Sequence, residues 1–163
     1  MKKLFNLLAV ITLSLFTFSC SKDDDTLPPY FFLDRNLQGE IDGQNFTLGF
    51  GAARYYDINK SELDIDLYDV DEEGTDPCNI YSKEVKATFN VPAKVGLYPL
   101  RFRLKPDDQT VTLYNPEKSL NIIVALGAID IISISETEVV GRLDARESGP
   151  SGINGNFRVP ICQ

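Results

Sequence analysis

Apolar and polar residues alternate along most of the chain after residue 37. An apolar side chain at every second position is the pattern of a strand that buries one of its faces. No segment of a dozen residues after the N-terminal region shows helical periodicity, so the sequence predicts an all-β fold. The clearest alternation predicts five strands: Leu63–Leu67, Val85–Val91, Leu100–Leu104, Val139–Ala145 and Ile153–Ile161. Weaker patterns predict strands at 37–42, 45–52 and 110–114.

The stretch between residues 121 and 135 does not alternate. It holds two apolar runs, Ile122–Leu126 and Ile129–Ile134, on either side of Gly127. Continuous apolar runs are typical of strands that are covered on both faces. These two runs are therefore predicted to form a pair of strands in the interior.

Glycine and proline mark the ends of the predicted strands. Asp42-Gly43 suits a hairpin turn, because glycine tolerates a positive φ, and Ser148–Gly152 is predicted to be a loop. Pro92 ends one strand, whereas Pro160 indicates an edge strand or a strand end. Short strands separated by such turns favour a single antiparallel β-sandwich domain over residues 37–163, with a β-barrel as the alternative.

The N-terminus has the layout of a secretory signal peptide. Lys2 and Lys3 precede an apolar run, Leu4–Phe18, which the small residue Ser19 follows. The run has about 15 residues, whereas a membrane-spanning helix needs about 20. The sequence therefore predicts a cleaved signal peptide at residues 1–19.

The residues around the cleavage point carry a resemblance to a known class. Thr17-Phe-Ser-Cys20 resembles the lipobox of bacterial lipoproteins, and Ser21-Lys-Asp-Asp-Asp25 resembles the lipoprotein export signal of Bacteroidota. With Gly39–Phe46 and the terminal Gly155–Cys162, the chain resembles small uncharacterised β-rich lipoproteins of Bacteroidota. The resemblance implies that Cys20 is acylated and that the protein is anchored in the outer membrane at the cell surface. It supplies no catalytic residues.

Alternatives to this assignment remain at the sequence level. An ordinary signal peptide would leave Cys20 as a free or paired thiol, and an anchored protein could face the periplasm instead. Residues 20–36 are predicted to form a flexible acidic and proline-containing tether, since runs of charge stay solvated and disordered. Removing residues 1–19 changes the formal net charge from −8 to −10, because Lys2 and Lys3 are lost. Such an acidic protein is not expected to bind nucleic acid.

The cysteine count supports the anchor and predicts a disulfide. The chain has three cysteines, so acylation of Cys20 leaves Cys78 and Cys162. Two thiols in an exported chain most simply form one disulfide, and two unpaired buried thiols are the alternative.

Few residues point to specific chemistry. The chain has no histidine, which excludes Ser-His-Asp and Cys-His catalysis and histidine-ligated metals, and it has no glycine-rich phosphate loop. No cofactor is expected. The acidic stretch after residue 68 could supply calcium ligands, but a charged solvated loop is the alternative reading. Its candidate ligands are Asp69, Asp71, Glu73 and Asp76.

Tyr55 and Tyr56 are candidates for ligand binding. Neighbouring residues of a strand point to opposite faces, so at most one of the two faces outward. The alternative is that they pack at a sheet edge with wet hydroxyl groups. Tyrosine is common at binding surfaces, and a cell-envelope protein or a glycan is the expected kind of partner besides the membrane.

These features together predict a lipid-anchored cell-envelope lipoprotein that is a non-enzymatic binding or accessory module. Two alternatives come from other classes. A barrel could carry an apolar ligand in its interior, which requires a cavity of about 300 Å³ or more. A hydrolase could use two converging carboxylates, as glycosidases do.

Overall fold

A computed structural model describes residues 30–69, 76–79, 85–102 and 108–163 of the protein. Within these ranges the protein is all-β, as predicted, with eleven strands and no helix. No described helix could therefore span a bilayer. The strands are β1 (Gln38–Ile41), β2 (Gln44–Thr47), β3 (Phe50–Tyr55), β4 (Glu62–Tyr68), β5 (Ala87–Pro92), β6 (Gly96–Pro99), β7 (Val111–Asn115), β8 (Leu120–Val124), β9 (Leu126–Ile134), β10 (Glu138–Arg146) and β11 (Gly152–Cys162).

The strands form one sheet that curls into a half-barrel. We call its two parts half A, with strand order β2-β1-β11-β10-β9-β6, and half B, with order β3-β4-β5-β7-β8. The halves are joined where the end of β11 pairs with β3, Ile161 opposite Ala53 and Cys162 opposite Arg54. This junction is parallel, whereas every other pair of described strands is antiparallel.

Side chains from both halves meet in one hydrophobic core. On β4 the apolar residues Leu63, Ile65 and Leu67 are fully buried, while the acidic residues between them lie on the other face. Phe89 of β5 contacts Phe157 of β11 edge-on, with ring centroids 5.8 Å apart. The alternation read from the sequence therefore buries one face of each half against the other.

Asp42 connects the two halves at one end of the core. It occupies the β1–β2 hairpin, where the φ angles of Asp42 and Gly43 are 49° and 83°, as the predicted turn requires. Its carboxylate accepts a hydrogen bond from Asn115 at 2.8 Å and lies 2.7 Å from the Lys118 ammonium. These two hydrogen bonds, first from Lys118 and then from Asn115, lower the pKa of Asp42. The turn is thus tied to the β7–β8 connection in half B.

Residues 30–36 form an extended strap across the outer face of β10 and β11. The Phe31 amide donates to Asp144 at 2.9 Å, and the Leu33 amide donates to the Asn154 side chain at 2.9 Å. The Asn154 amide group donates in turn to the Phe31 carbonyl and to Asp144. Gly155, with a φ of 146°, leaves room for the strap, since a Cβ there would lie 2.7 Å from the Arg35 carbonyl oxygen. The folded unit therefore includes these residues, upstream of the predicted boundary at 37.

Three sequence predictions about strands are wrong. The predicted strand 45–52 is divided in two, because β2 ends at Thr47 and β3 begins at Phe50. Leu100–Leu104 is not a strand in its described part, because β6 ends at Pro99. The Leu100 amide then donates a hydrogen bond to the Gly127 carbonyl, whereas the amide of the next residue, Arg101, donates to the Gln109 carbonyl. The apolar runs after residue 121 are not covered on both faces, because β8 is the outermost strand of half B and β9 has an open outer face. The exposed apolar side chains of β8 and β9 are Leu120, Ile123, Leu126 and Ile132.

Pro160 lies near the end of a strand, which is one of its two predicted positions. The other, an edge strand, is wrong because β11 pairs with β10 along one side and with β1 and β3 along the other. Pro160 lies opposite Glu138. The missing amide is tolerated there, since the next residue, Ile161, donates to the Thr137 carbonyl.

Candidate functional site

An open groove of about 900 Å³ lies at the junction between the two halves. We call it the Tyr55 groove. Its wall combines aromatic, cationic, acidic, polar and aliphatic side chains. The lining residues are Arg54, Tyr55, Lys60, Ile134, Ser135, Glu136, Ile161, Cys162 and Gln163.

Three elements position this wall. The parallel pairing of β11 with β3 brings Ile161 and Cys162 beside Arg54. The turn between β9 and β10 forms the opposite side. Its Ser135 hydroxyl accepts hydrogen bonds from the amides of Thr137 and Glu138, at 3.2 and 2.9 Å. The groove therefore depends on contacts between segments that are distant along the chain.

Tyr55 forms the aromatic part of the groove. Its ring packs against the core, and the Lys60 ammonium lies 5.0 Å from the ring centroid, within the range of a cation–π contact. Tyr56 does not line the groove, and 71% of its surface is exposed. Of the two predicted candidates, only Tyr55 is placed in a concave site.

The loop that carries Lys60 is held by Asp57. Its carboxylate accepts hydrogen bonds from the Ser61 amide at 2.7 Å and the Ser61 hydroxyl at 2.9 Å, and from the amides of Asn59 and Glu62 at 3.2 Å. Burial acts to raise the pKa of Asp57, but these hydrogen bonds outweigh it and lower the pKa. Lys60 itself has a φ of 55°. The side chain that covers Tyr55 thus comes from a tightly fixed turn.

Two carboxylates lie behind the groove on the outer face of β4. Arg54 donates to Asp66 at 3.3 Å. Burial, and then the negative charge of Asp66, raise the pKa of Asp64. Neither carboxylate lines the Tyr55 groove. They are neighbours on one strand face, but they do not converge on a concave site as the hydrolase alternative requires.

The predicted disulfide between Cys78 and Cys162 is confirmed. The two Cα atoms are 5.3 Å apart, and the bond links residues separated by 84 positions. Asp76 accepts a hydrogen bond from the Cys78 amide at 2.9 Å, which shapes the turn that carries this cysteine. Because Cys162 also lines the groove, the bond fixes one edge of it.

The calcium candidates lie only in part within the described residues. Asp69 is 3.6 Å from the Lys86 ammonium, and Asp76 caps the turn at Cys78. Asp71 and Glu73 lie outside the described residues, as does Cys20. Among the residues that the structure does describe, no cluster of three or more acidic, cysteine or histidine side chains could hold a metal ion.

A second groove of about 660 Å³ lies on the outer face of half A, beside the strap. The Arg142 guanidinium lies 4.7 Å from the Phe32 ring centroid and forms an ion pair with Asp130. Asn156 donates to Asp34 at 3.0 Å. Its polar groups thus join the strap to the sheet, and we assign this groove to strap packing.

Comparison with known proteins identifies no relative of this chain. It matches no protein-family model, no curated protein and no solved structure. The site must therefore be interpreted from its own residues.

Sequence reasoning missed most of the groove. Lys60, Ser135 and Glu136 were not candidates, because each lies in a turn. Ser135 and Glu136 share the groove with Tyr55 only through the β3–β11 junction, whereas Lys60 reaches it across the β3–β4 turn. The one available signal was Asp57-Ile-Asn-Lys-Ser61, a turn-forming run placed directly after the tyrosine pair.

Proposed function

We propose that the protein is a lipid-anchored lipoprotein of the cell envelope, displayed at the cell surface, whose β domain binds a ligand in the Tyr55 groove. The observation that carries the binding role is the groove itself, which is lined by an aromatic ring, two cations, the acidic Glu136, two neutral polar side chains and the aliphatic Ile134 and Ile161. A concave site with an apolar base and a few polar groups is the common form of a small-molecule site. The lipobox-like sequence at Cys20 supports the anchor.

The composition of the groove favours a ligand with an apolar face and an acidic group. Tyr55, Ile134 and Ile161 supply the apolar contacts, while Lys60 and Arg54 supply two positive charges against the single negative charge of Glu136. Arg54 is paired with Asp66, so the Lys60 ammonium, which lies over the Tyr55 ring, is the cation that we assign to the acidic group of a ligand. Acidic sugars and short acidic peptides combine both properties. The absence of histidine from the whole chain supports binding without catalysis.

Thermal shift with a panel of neutral sugars, uronic acids and short peptides tests the binding role. We expect acidic ligands to raise the Tm of the wild type, because a ligand that binds only the folded state stabilises it. Lys60→Ala and Tyr55→Ala should each weaken binding about tenfold, as loss of a central contact does. Tyr56→Ala is the matched control, because this neighbouring tyrosine lies outside the groove. Equal binding by all three variants would contradict the assignment.

We further propose that the curled sheet closes as a sandwich, with halves A and B as its layers. The contact of Phe89 with Phe157 and the bonds of Asp42 to Asn115 and Lys118 support two facing layers. The side chains between the layers form one continuous cluster. A filled interior favours surface binding over an apolar ligand carried inside.

A further inference from the structure

Exposed apolar side chains gather at the end of half A where the strap begins. Phe31, Phe102 and Leu126 are 45%, 64% and 57% exposed. Leu126 pairs with Arg146 across β9 and β10, and the Arg146 guanidinium lies 5.0 Å from the Phe31 ring centroid. Phe102 follows Leu100, whose amide donates to Gly127 next to Leu126. We call Phe31, Phe102, Leu126 and Arg146 the Phe31 patch.

The Phe31 patch and the Tyr55 groove lie at opposite ends of half A. Leu126 begins β9, and Ser135, in the groove wall, directly follows its last residue, Ile134. A strand of nine residues at about 3.3 Å per residue separates the two sites by roughly 30 Å. A surface touched by the patch therefore lies on the far side of the domain from the groove.

The chain upstream of the strap limits where a lipid anchor can be. Tyr30 is ten positions after Cys20, and the chain between them spans at most about 35 Å when fully extended. The strap is fixed to β10 and β11 by the hydrogen bonds of Phe31 and Leu33. A lipid anchor at Cys20 is therefore attached to the domain at its patch end and lies within about 35 Å of the strap.

The geometry points to a phospholipid bilayer as the surface on which the Phe31 patch rests. This inference depends on the proposed anchor at Cys20. Phenylalanine and leucine enter the interface between headgroups and acyl chains. Arg146 is ion-paired with the buried Asp144 at 2.9 Å and supports the Phe31 ring from within the fold, so the apolar side chains carry the contact with lipid. Arg101 is exposed at the same end, as is Glu147, so the local charge is mixed. Contact through the patch turns the Tyr55 groove away from the membrane.

Tryptophan fluorescence tests this orientation, because the chain contains no tryptophan of its own. Phe31→Trp and Leu126→Trp place a single reporter in the patch. Ile58→Trp is the matched control, since Ile58 is 98% exposed in the loop between β3 and β4, beside the groove. The acylated protein, beginning at Cys20, is reconstituted in phosphatidylcholine vesicles, with and without bromine near the headgroup end of the acyl chains. We expect blue-shifted emission and about twofold quenching at positions 31 and 126, and neither at position 58.

Vesicle flotation in the same samples separates the two proposals. Variants that float but show no quenching at positions 31 and 126 would overturn the orientation and leave the anchor intact. Quenching at position 58 would also overturn it, because the groove would then face the membrane. Failure of the wild type to float would overturn the anchor and this inference together. Phe31→Trp could disturb the strap, to which Phe31 belongs. Leu126→Trp is an independent reporter, because the side chain of Leu126 belongs to β9 and not to the strap.

Discussion

At the scale of single residues, the outer face of β4 shows how the pKa of an aspartate carboxyl group depends on its position. Asp64 and Asp66 lie two residues apart on one strand face, and Arg54 donates a hydrogen bond to Asp66. Burial and the nearby charge of Asp66 raise the pKa of Asp64, whereas hydrogen bonds lower the pKa of Asp57. The two shifts have opposite consequences for stability.

Replacing Asp64 with asparagine should stabilise the protein at neutral pH. Because the folded-state pKa is raised, the favourable contribution of Asp64 is complete below its ordinary pKa of 3.8 and is lost as the pH rises through the raised value. Asparagine does not ionise and avoids this loss. We expect the Tm of Asp64→Asn to exceed that of the wild type by about 1–3 °C at pH 7, with the difference disappearing near about pH 3.

Asp57→Asn is the control, because the change in stability expected at pH 7 has the opposite sign. The lowered pKa of Asp57 means that its stabilising contribution is present above the ordinary value and lost as the pH falls through the folded-state pKa. This variant should therefore be less stable than the wild type at pH 7, and the difference should shrink in acid. A fall in Tm for Asp64→Asn at pH 7 would show that its contacts with Thr88 and Arg54 outweigh its burial.

At the scale of strands, alternation predicted the elements that bury one face. It located β4, β5, β10 and β11 to within a few residues, because each sets apolar residues against the core and polar residues outward. The alternation pattern did not predict where β6 ends or that β8 is exposed, because these depend on hydrogen-bond partners and on the position of a strand at the sheet edge. Ile123 is exposed although its neighbours are apolar, since nothing in the composition of a strand reports its place in the sheet.

The groove could be predicted only in part for a related reason. Tyr55 was a candidate because aromatic residues suit binding surfaces, and Cys162 was expected to be bridged. Their position in one wall depends on the pairing of β11 with β3, which joins residues more than a hundred positions apart. Local sequence carries no signal for such a contact.

The disulfide should stabilise this junction. Cys78→Ser, Cys162→Ser and the double variant should each lose about 2–5 kcal/mol of unfolding free energy, since each removes the same covalent constraint. Urea unfolding of the three variants measures this loss. Losses that add in the double variant would mean that the two side chains act independently. Intact-mass analysis after alkylation without reductant gives a direct check, because a bridged protein takes up no label at Cys78 or Cys162.

At the scale of the whole molecule, the strap connects the domain to its proposed anchor. Cys20→Ala should move the protein from the membrane fraction to the soluble fraction, because several acyl chains together hold a protein on a bilayer where one chain binds only marginally. Fractionation followed by immunoblotting measures this change. Cys78→Ser is the matched control, since it removes a cysteine outside the lipobox-like segment and should leave the protein in the membrane fraction. A Cys20→Ala variant that stays with the membrane would contradict the anchor.

The central position of β11 also sets the order in which the domain can assemble. Of the described strands, β11 comes last along the chain, but β1, β3 and β10 all pair with it. A chain that emerges from a ribosome or a translocation channel N-terminus first therefore exposes β1 and β3 long before their common neighbour arrives. Half A and half B stay unjoined during this interval, with their apolar faces available to chaperones. Folding is in this sense postponed until β11 itself has emerged.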